Sequence, residues 1–122
     1  MSRRVKFELI AIASLASFLI ITTGCTRRDS REAVLRDNLF TLRAVIDQFT
    51  LDKRRAPQSL DDLVQSGYLK EIPVDPFTES RNTWQVTQEQ AMQSVDPSHI
   101  GVTDVHSGAK GTGSDGRPYS EW

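Results

Sequence analysis

Cysteine is almost absent, with Cys25 the only one in 122 residues. A lone thiol excludes a disulfide within the chain. Charge of one sign is lacking too: 15 Lys+Arg stand against 16 Asp+Glu, a net charge of −1. There is therefore no footprint for nucleic acid, which calls for a concentrated basic face. No apolar run reaches the ~20 residues that a helix needs to cross the hydrocarbon core comfortably. No internal repeat is visible. Catalytic constellations are missing as well, since no carboxylate pair, nucleophile with a base, or metal set occurs at usable spacing.

What is present begins at the N-terminus, where Arg3, Arg4 and Lys6 precede the apolar run Leu9 to Thr23 and then Gly24-Cys25. A basic start, a greasy stretch and a small residue before a processing point make an export signal. Glu8 makes a longer span costly. Residues 1–24 are thus expected to form a signal or membrane segment and residues 25–122 one small domain. The domain is expected in the cell envelope, anchored to the inner or outer membrane and facing the periplasm. Ile21-Thr22-Thr23-Gly24-Cys25 resembles the lipobox of bacterial lipoproteins, with Thr22 where that motif usually has Leu. The resemblance implies that the Cys25 thiol is lipidated and becomes the new N-terminus. The competing expectation is an uncleaved membrane helix in which Cys25 is a small buried thiol. Arg27, Arg28 and Arg31 lie beside the anchor and suit anionic headgroups at about 1 kcal/mol each, or simply a solvated helix start.

Helical periodicity follows. Leu35, Leu39, Leu42, Ile46 and Phe49 repeat at spacings of 4, 3, 4 and 3, one narrow apolar stripe widened by Val34 and Val45. Asp29 with Glu32 predicts a cap and capping-box partner at the helix start. Lys53, Arg54 and Arg55 suit its negative end, and Pro57 disfavours helical geometry at Ala56. One helix from about Arg31 to Lys53, inside a 30–54 window, is expected, roughly 35 Å long. Ser59 to Gly67 predicts a second, short helix capped by Ser59, with Asp61 and Asp62 in its first turn and Gly67 as terminator. Pro73 and Pro76 bracket Val74-Asp75 and predict a pinned loop. Thr83 to Thr87, around Trp84 and Val86, and Ile100 to Val105 are predicted strands, joined by a polar connection from Gln88 to His99. Two strands alone are marginal, so the sheet is expected to lie against the long helix. A head over 57–122 buries only about 60% of its chain surface, and the helix stripe supplies the missing core. The segment from Ser107 to Trp122 is rich in glycine, a ribbon expected to be held by Tyr119 and Trp122.

The order of these pieces resembles a known family. Asp47, Asp52, Pro57, Ser59-Leu60, Leu63, Gly67-Tyr68-Leu69, Ile72-Pro73 and Asp75-Pro76-Phe77 look like the body of type II secretion protein G, the major pseudopilin. Trp84, the run Asp104-Val105-His106-Ser107-Gly108 and the ending Tyr119-Ser120-Glu121-Trp122 continue the likeness. The resemblance implies an α+β, type IV pilin-like fold: a long N-terminal helix packed on a small antiparallel sheet, with a glycine-rich C-terminal loop. It also implies a non-enzymatic subunit or accessory of a type II secretion or type IV pilus-like system, anchored in the membrane and partnered by other pseudopilin or secretion subunits. The N-terminus departs from that family. Its members carry a leader ending in Gly, then Phe and a Glu at the fifth mature position, whereas here Phe7 follows Lys6 and Ala11 stands at the fifth place. That departure favours a lipid-anchored relative, and it keeps open a stand-alone periplasmic binding or adaptor lipoprotein that uses a pilin-like head.

The same resemblance raises a calcium ion in the final loop, for which Ser114 and Asp115 offer hard oxygen ligands. The family's adjacent acidic pair is not reproduced, because Gly116 follows Asp115 and the next acid is Glu121; the alternative is a turn-forming Asp-Gly. No other cofactor is expected. Gly111-Thr112-Gly113-Ser114-Asp115-Gly116 fits GxGxxG, but no helix can follow it to hold a pyrophosphate. His99 and His106 with Asp96 and Asp104 are of zinc-ligand type but lack a third soft ligand. Asp104, His106 and Ser107 contain triad residue types, yet neighbours along a strand point to opposite faces.

Overall fold

The computed structural model describes the main chain of residues 2–89 and 100–122, with side chains from Arg27 onward. The side chains of the basic leader, the Leu9 to Thr23 run and Cys25 lie outside the described residues, as do Asp96, His99 and most of the Gln88–His99 connection. Element order is α1 (Ser2–Lys53), α2 (Leu60–Gln65), β1 (Gln85–Gln88), β2 (Val102–His106) and a 3-10 turn (Tyr119–Glu121). The chain divides into two compact units, Met1–Arg31 and Glu32–Trp122. The first is the N-terminal part of α1. The second holds the rest of α1 and every other element, an α+β head in which a long helix packs on a two-stranded antiparallel sheet.

The expected capping box at Asp29 and Glu32 is not formed. Both residues lie inside α1, which starts at Ser2 rather than Arg31. The run of leucine, alanine and isoleucine before them has high helix propensity and is unbroken by proline, so the N–H groups there meet carbonyls four residues earlier. At the other end, Arg54 adopts a positive φ of 57° and the helix stops ahead of Pro57, as the proline requires.

All five stripe residues are buried: Leu35, Leu39, Leu42, Ile46 and Phe49. They meet Leu60 and Leu63 of α2, Trp84, Val102 and Val105 of β2, and Tyr119 and Trp122. Each such side chain contributes about 1.5–3 kcal/mol by leaving water. α2 begins where expected, because the Ser59 hydroxyl accepts from the Asp62 N–H at 3.3 Å. It ends at Gly67, whose φ of +80° lets its N–H reach the Val64 carbonyl at 3.1 Å. The strands pair from Gln85 opposite His106 to Gln88 opposite Val102, with an irregularity between Thr87 and Gln88. The predicted first strand is shifted: Trp84 precedes β1, and the four residues of β1 are exposed. The buried apolar residues of the two strands, Val102 and Val105, both come from β2 and join the cluster built on the α1 stripe.

Candidate functional site

Asp75 is the centre of the pinned loop and is fully buried. One carboxylate oxygen accepts from the N–H groups of Phe77 (2.8 Å) and Thr78 (3.3 Å), and the other accepts from the Ser107 hydroxyl at 2.5 Å. Pro76 leaves Asp75 no adjacent N–H to compete for, so the carboxylate folds over its own turn. Ser107 in turn accepts the Ala109 N–H at 3.0 Å. The loop before β1 is thereby tied to the residue after β2. Pro73 serves the same join, its carbonyl accepting from the Trp84 indole at 2.9 Å.

Several other resemblance residues also occupy positioning roles. Pro57 is buried and its carbonyl accepts the Val102 N–H at 2.7 Å. Leu60 and Leu63 are core residues. Tyr68 packs edge-on against Phe49 and donates its hydroxyl to Asp52 at 2.8 Å. Gln48 and that phenol hold the Asp52 carboxyl below the usual carboxylate range, while the same bond pushes the Tyr68 phenol up.

A second polar centre joins α1 to the C-terminal loop. Glu32 is 2% exposed, although it sits on a helix face. Its carboxylate accepts from the Ser114 N–H at 3.0 Å, from the Ser114 hydroxyl, and from the Tyr119 hydroxyl at 2.9 Å. The ring of Tyr119 stacks on Phe77 and meets Trp122 edge-on. Thr112 bridges to Pro118, and Gly113 donates to the Arg117 carbonyl, so the glycine-rich stretch closes on itself as a hairpin-like loop.

The two residues considered for calcium have different protein partners. Ser114 is committed to Glu32, while Asp115 accepts from the Arg117 N–H and from its guanidinium, each at 3.0 Å. That main-chain bond is the largest influence holding the Asp115 carboxyl below its ordinary range. Burial opposes it, and the Arg117 charge and the nearby Trp122 indole add to it. The indole N–H itself is buried and makes no bond of full hydrogen-bond geometry among the described residues. Among the described residues, no group of three His, Cys, Asp or Glu side chains gathers where a metal ion could sit.

Asp104 and His106 do come together, His106 Nε2 lying 3.4 Å from the Asp104 carboxylate. Ser107, just past β2 and two residues after the buried Val105, is directed instead into the core toward Asp75. Arg43 gathers the end of the chain: it donates to Asp104 (2.8 Å), to the Val105 carbonyl (2.9 Å) and to the main-chain oxygen of Trp122 (2.6 Å). Burial tends to raise Asp104, but the Val105 N–H, Arg43 and His106 outweigh it and leave the carboxyl lowered. Beside this cluster runs a groove of about 600 Å³ lined by Arg36, Leu39, Phe40, Arg43, Arg117 and Trp122. The Arg36 guanidinium lies 4.3 Å above the Trp122 ring.

Sequence reasoning missed Arg43 and misassigned Glu32. For Glu32 a signal exists: it stands three residues before Leu35, in register with the apolar stripe, and an acid on a buried stripe needs donors. For Arg43 there is none, because its three acceptors lie far along the chain. Arg27, Arg28 and Arg31 are exposed, and among the described residues no helix is long and apolar enough to cross a membrane. No protein-family model, curated protein or solved structure matches this chain.

Proposed function

We propose that this protein is a non-enzymatic, pseudopilin-like subunit or accessory of a type II secretion or type IV pilus-like system, anchored to the membrane by its N-terminal segment. The observation that carries this reading is where the resemblance residues lie. Pro57, Leu60, Leu63, Asp75 and Trp84 are buried joints of a helix-on-sheet head, so the shared pattern is one that a pilin-like scaffold would need. The polar clusters at Glu32, Asp75 and Arg43 are satisfied by the protein's own groups, as suits a structural part. Purification of the full chain from its native membrane in mild detergent tests the reading: secretion-machine components should co-purify. Recovery of the chain alone would count against it.

A second reading, a stand-alone lipid-anchored binding or adaptor protein with a pilin-like head, is favoured by Gly24-Cys25 and by Ala11 in place of the family's glutamate. Mass spectrometry of the membrane-derived protein separates the anchors. A diacylated Cys25 at the N-terminus supports the lipoprotein, and an intact Met1 with an unmodified thiol excludes it.

A further inference from the structure

The outer edge of β2 is closed by the protein itself, whereas the outer edge of β1 is open. Val102 donates to the Pro57 carbonyl, and the Val105 carbonyl accepts from Arg43, so both residues turn their main chain away from β1. Val86 stands opposite Val105 and Gln88 opposite Val102. Opposed residues of an antiparallel pair either exchange bonds or both face outward, so Val86 and Gln88 present their N–H and C=O groups on the far side of β1. Glu89 keeps the alternation, its N–H turning inward to the Gly101 carbonyl at 3.1 Å. β1 stays regular because the irregularity falls in β2, where Thr103 has no opposite residue. Among the described residues, no protein group meets the outward groups of Val86 and Gln88.

We infer that this edge takes an extended segment of a partner protein as an added strand, with an apolar side chain against Val86 and a Lys or Arg beside it on the same face. Only an extended main chain supplies donors and acceptors at the alternating spacing that the edge presents. The strand Gln85-Val86-Thr87-Gln88 carries no charge and no proline, the residues with which natural edges commonly repel another strand. Side-chain preference comes from the groove next to it. Trp84 and Val86, two apart and so on one face, line a groove of about 250 Å³ together with Leu60 of α2 and Ile72. Val86 is 44% exposed there. A residue paired with Val86 points to that same face, and its side chain enters the groove. Two charged residues stand on the groove wall, Arg81 and Asp61. Arg81 is engaged by Glu71 and the Ile72 carbonyl. Asp61 is exposed and has no ion pair or hydrogen bond among the described residues. The charge left unanswered is thus negative, which selects a cation on the incoming strand. β1 is four residues long, so the contact is weak and reversible.

Amide exchange of the isotope-labelled full chain in mild detergent tests this, with acetyl-Thr-Leu-Thr-Lys-Thr-amide as the probe. The Val86 and Gln88 amides should exchange freely in the chain alone and slow by about tenfold or more at saturating peptide. The same peptide N-methylated at Leu and Lys, whose N–H groups face the edge, should give no protection. Val86→Pro removes an outward N–H that β2 does not use, so it should keep the melting curve and abolish binding. Gln85→Ala, on the opposite face, should bind as the wild type does. Asp61→Asn, or Glu in place of Lys in the peptide, should each weaken binding about threefold. Amides already slow in the free chain, protection that rises with protein concentration in place of peptide, equal protection by the N-methylated peptide, or no response to either overturns the added strand. Equal affinity for the Lys and Glu peptides overturns the charge preference.

Discussion

The carboxylate of Glu32 accepts the phenolic hydroxyl of Tyr119 at 2.9 Å, across 87 positions of sequence. This bond and the two from Ser114 fasten the glycine-rich loop to the long helix. Replacing Glu32 with Ala strips three donors of their acceptor at a site 2% exposed. A loss of about 1–3 kcal/mol is expected, together with faster amide exchange at Ser114. Exchange at Val105 should change only as much as global stability does. An undisturbed Ser114 amide would show that the loop is held by Tyr119 and Trp122 packing alone.

Leu42 has no exposed surface, whereas Phe40, two residues away, is 73% exposed. Leu42→Ala should cost about 2–5 kcal/mol in denaturant unfolding of the full chain. Leu42→Asp buries an unpaired charge and should abolish the cooperative transition. Phe40→Ala should stay within about 0.5 kcal/mol of wild type.

Close approach of main chain explains Gly108, where an added Cβ would stand 2.0 Å from the Thr83 carbonyl oxygen. Main-chain atoms cannot swing aside as a side chain can. Gly108→Ala should therefore cost about 3 kcal/mol and lower the melting temperature markedly. At Gly67 an added Cβ meets nothing within 4 Å, and only its φ of +80° resists substitution. Gly67→Ala should cost only about 1 kcal/mol. Equal losses at the two sites would contradict this ranking.

Asp104 is held below the ordinary aspartate value of 3.8, its hydrogen bonds and neighbouring cations outweighing the burial that opposes them. A carboxyl lowered by folding stabilises the fold fully above its unfolded value, and that contribution is lost as pH falls from there through the folded value. Melting temperature should accordingly drop as pH is lowered below about 4. Asp104→Asn should flatten that drop. If wild type and Asp104→Asn show parallel acid limbs, the Arg43–Asp104 contact is not a source of acid sensitivity.

Local periodicity was enough to place the buried face of α1. Each of Leu35, Leu39, Leu42, Ile46 and Phe49 is inside, because residues three and four apart must share a helix face wherever the helix packs. Ser59 and Gly67 likewise marked α2, through capping chemistry that operates within one turn. The sheet was less legible. Trp84 and Val86 alternate as strand residues should, yet Trp84 lies outside β1 and Val86 is 44% exposed. Alternation says which residues share a face, and contact with α1 decides which face is buried.

The chain's own order of residues therefore determined the amphipathic helix, the capped turn of α2, the proline-pinned loop and the basic-apolar-cysteine start, since each depends on neighbours a few positions apart. Tertiary structure alone decided that Glu32 is a buried acceptor for Ser114 and Tyr119 and not a helix cap. It also decided that Asp75 closes on Ser107, and that Arg43 collects Asp104, Val105 and Trp122. Those bonds join residues 32 to 87 positions apart. No local pattern encodes them, because a donor meets its acceptor only after the stripe of α1 has been buried against β2 and the closing loop.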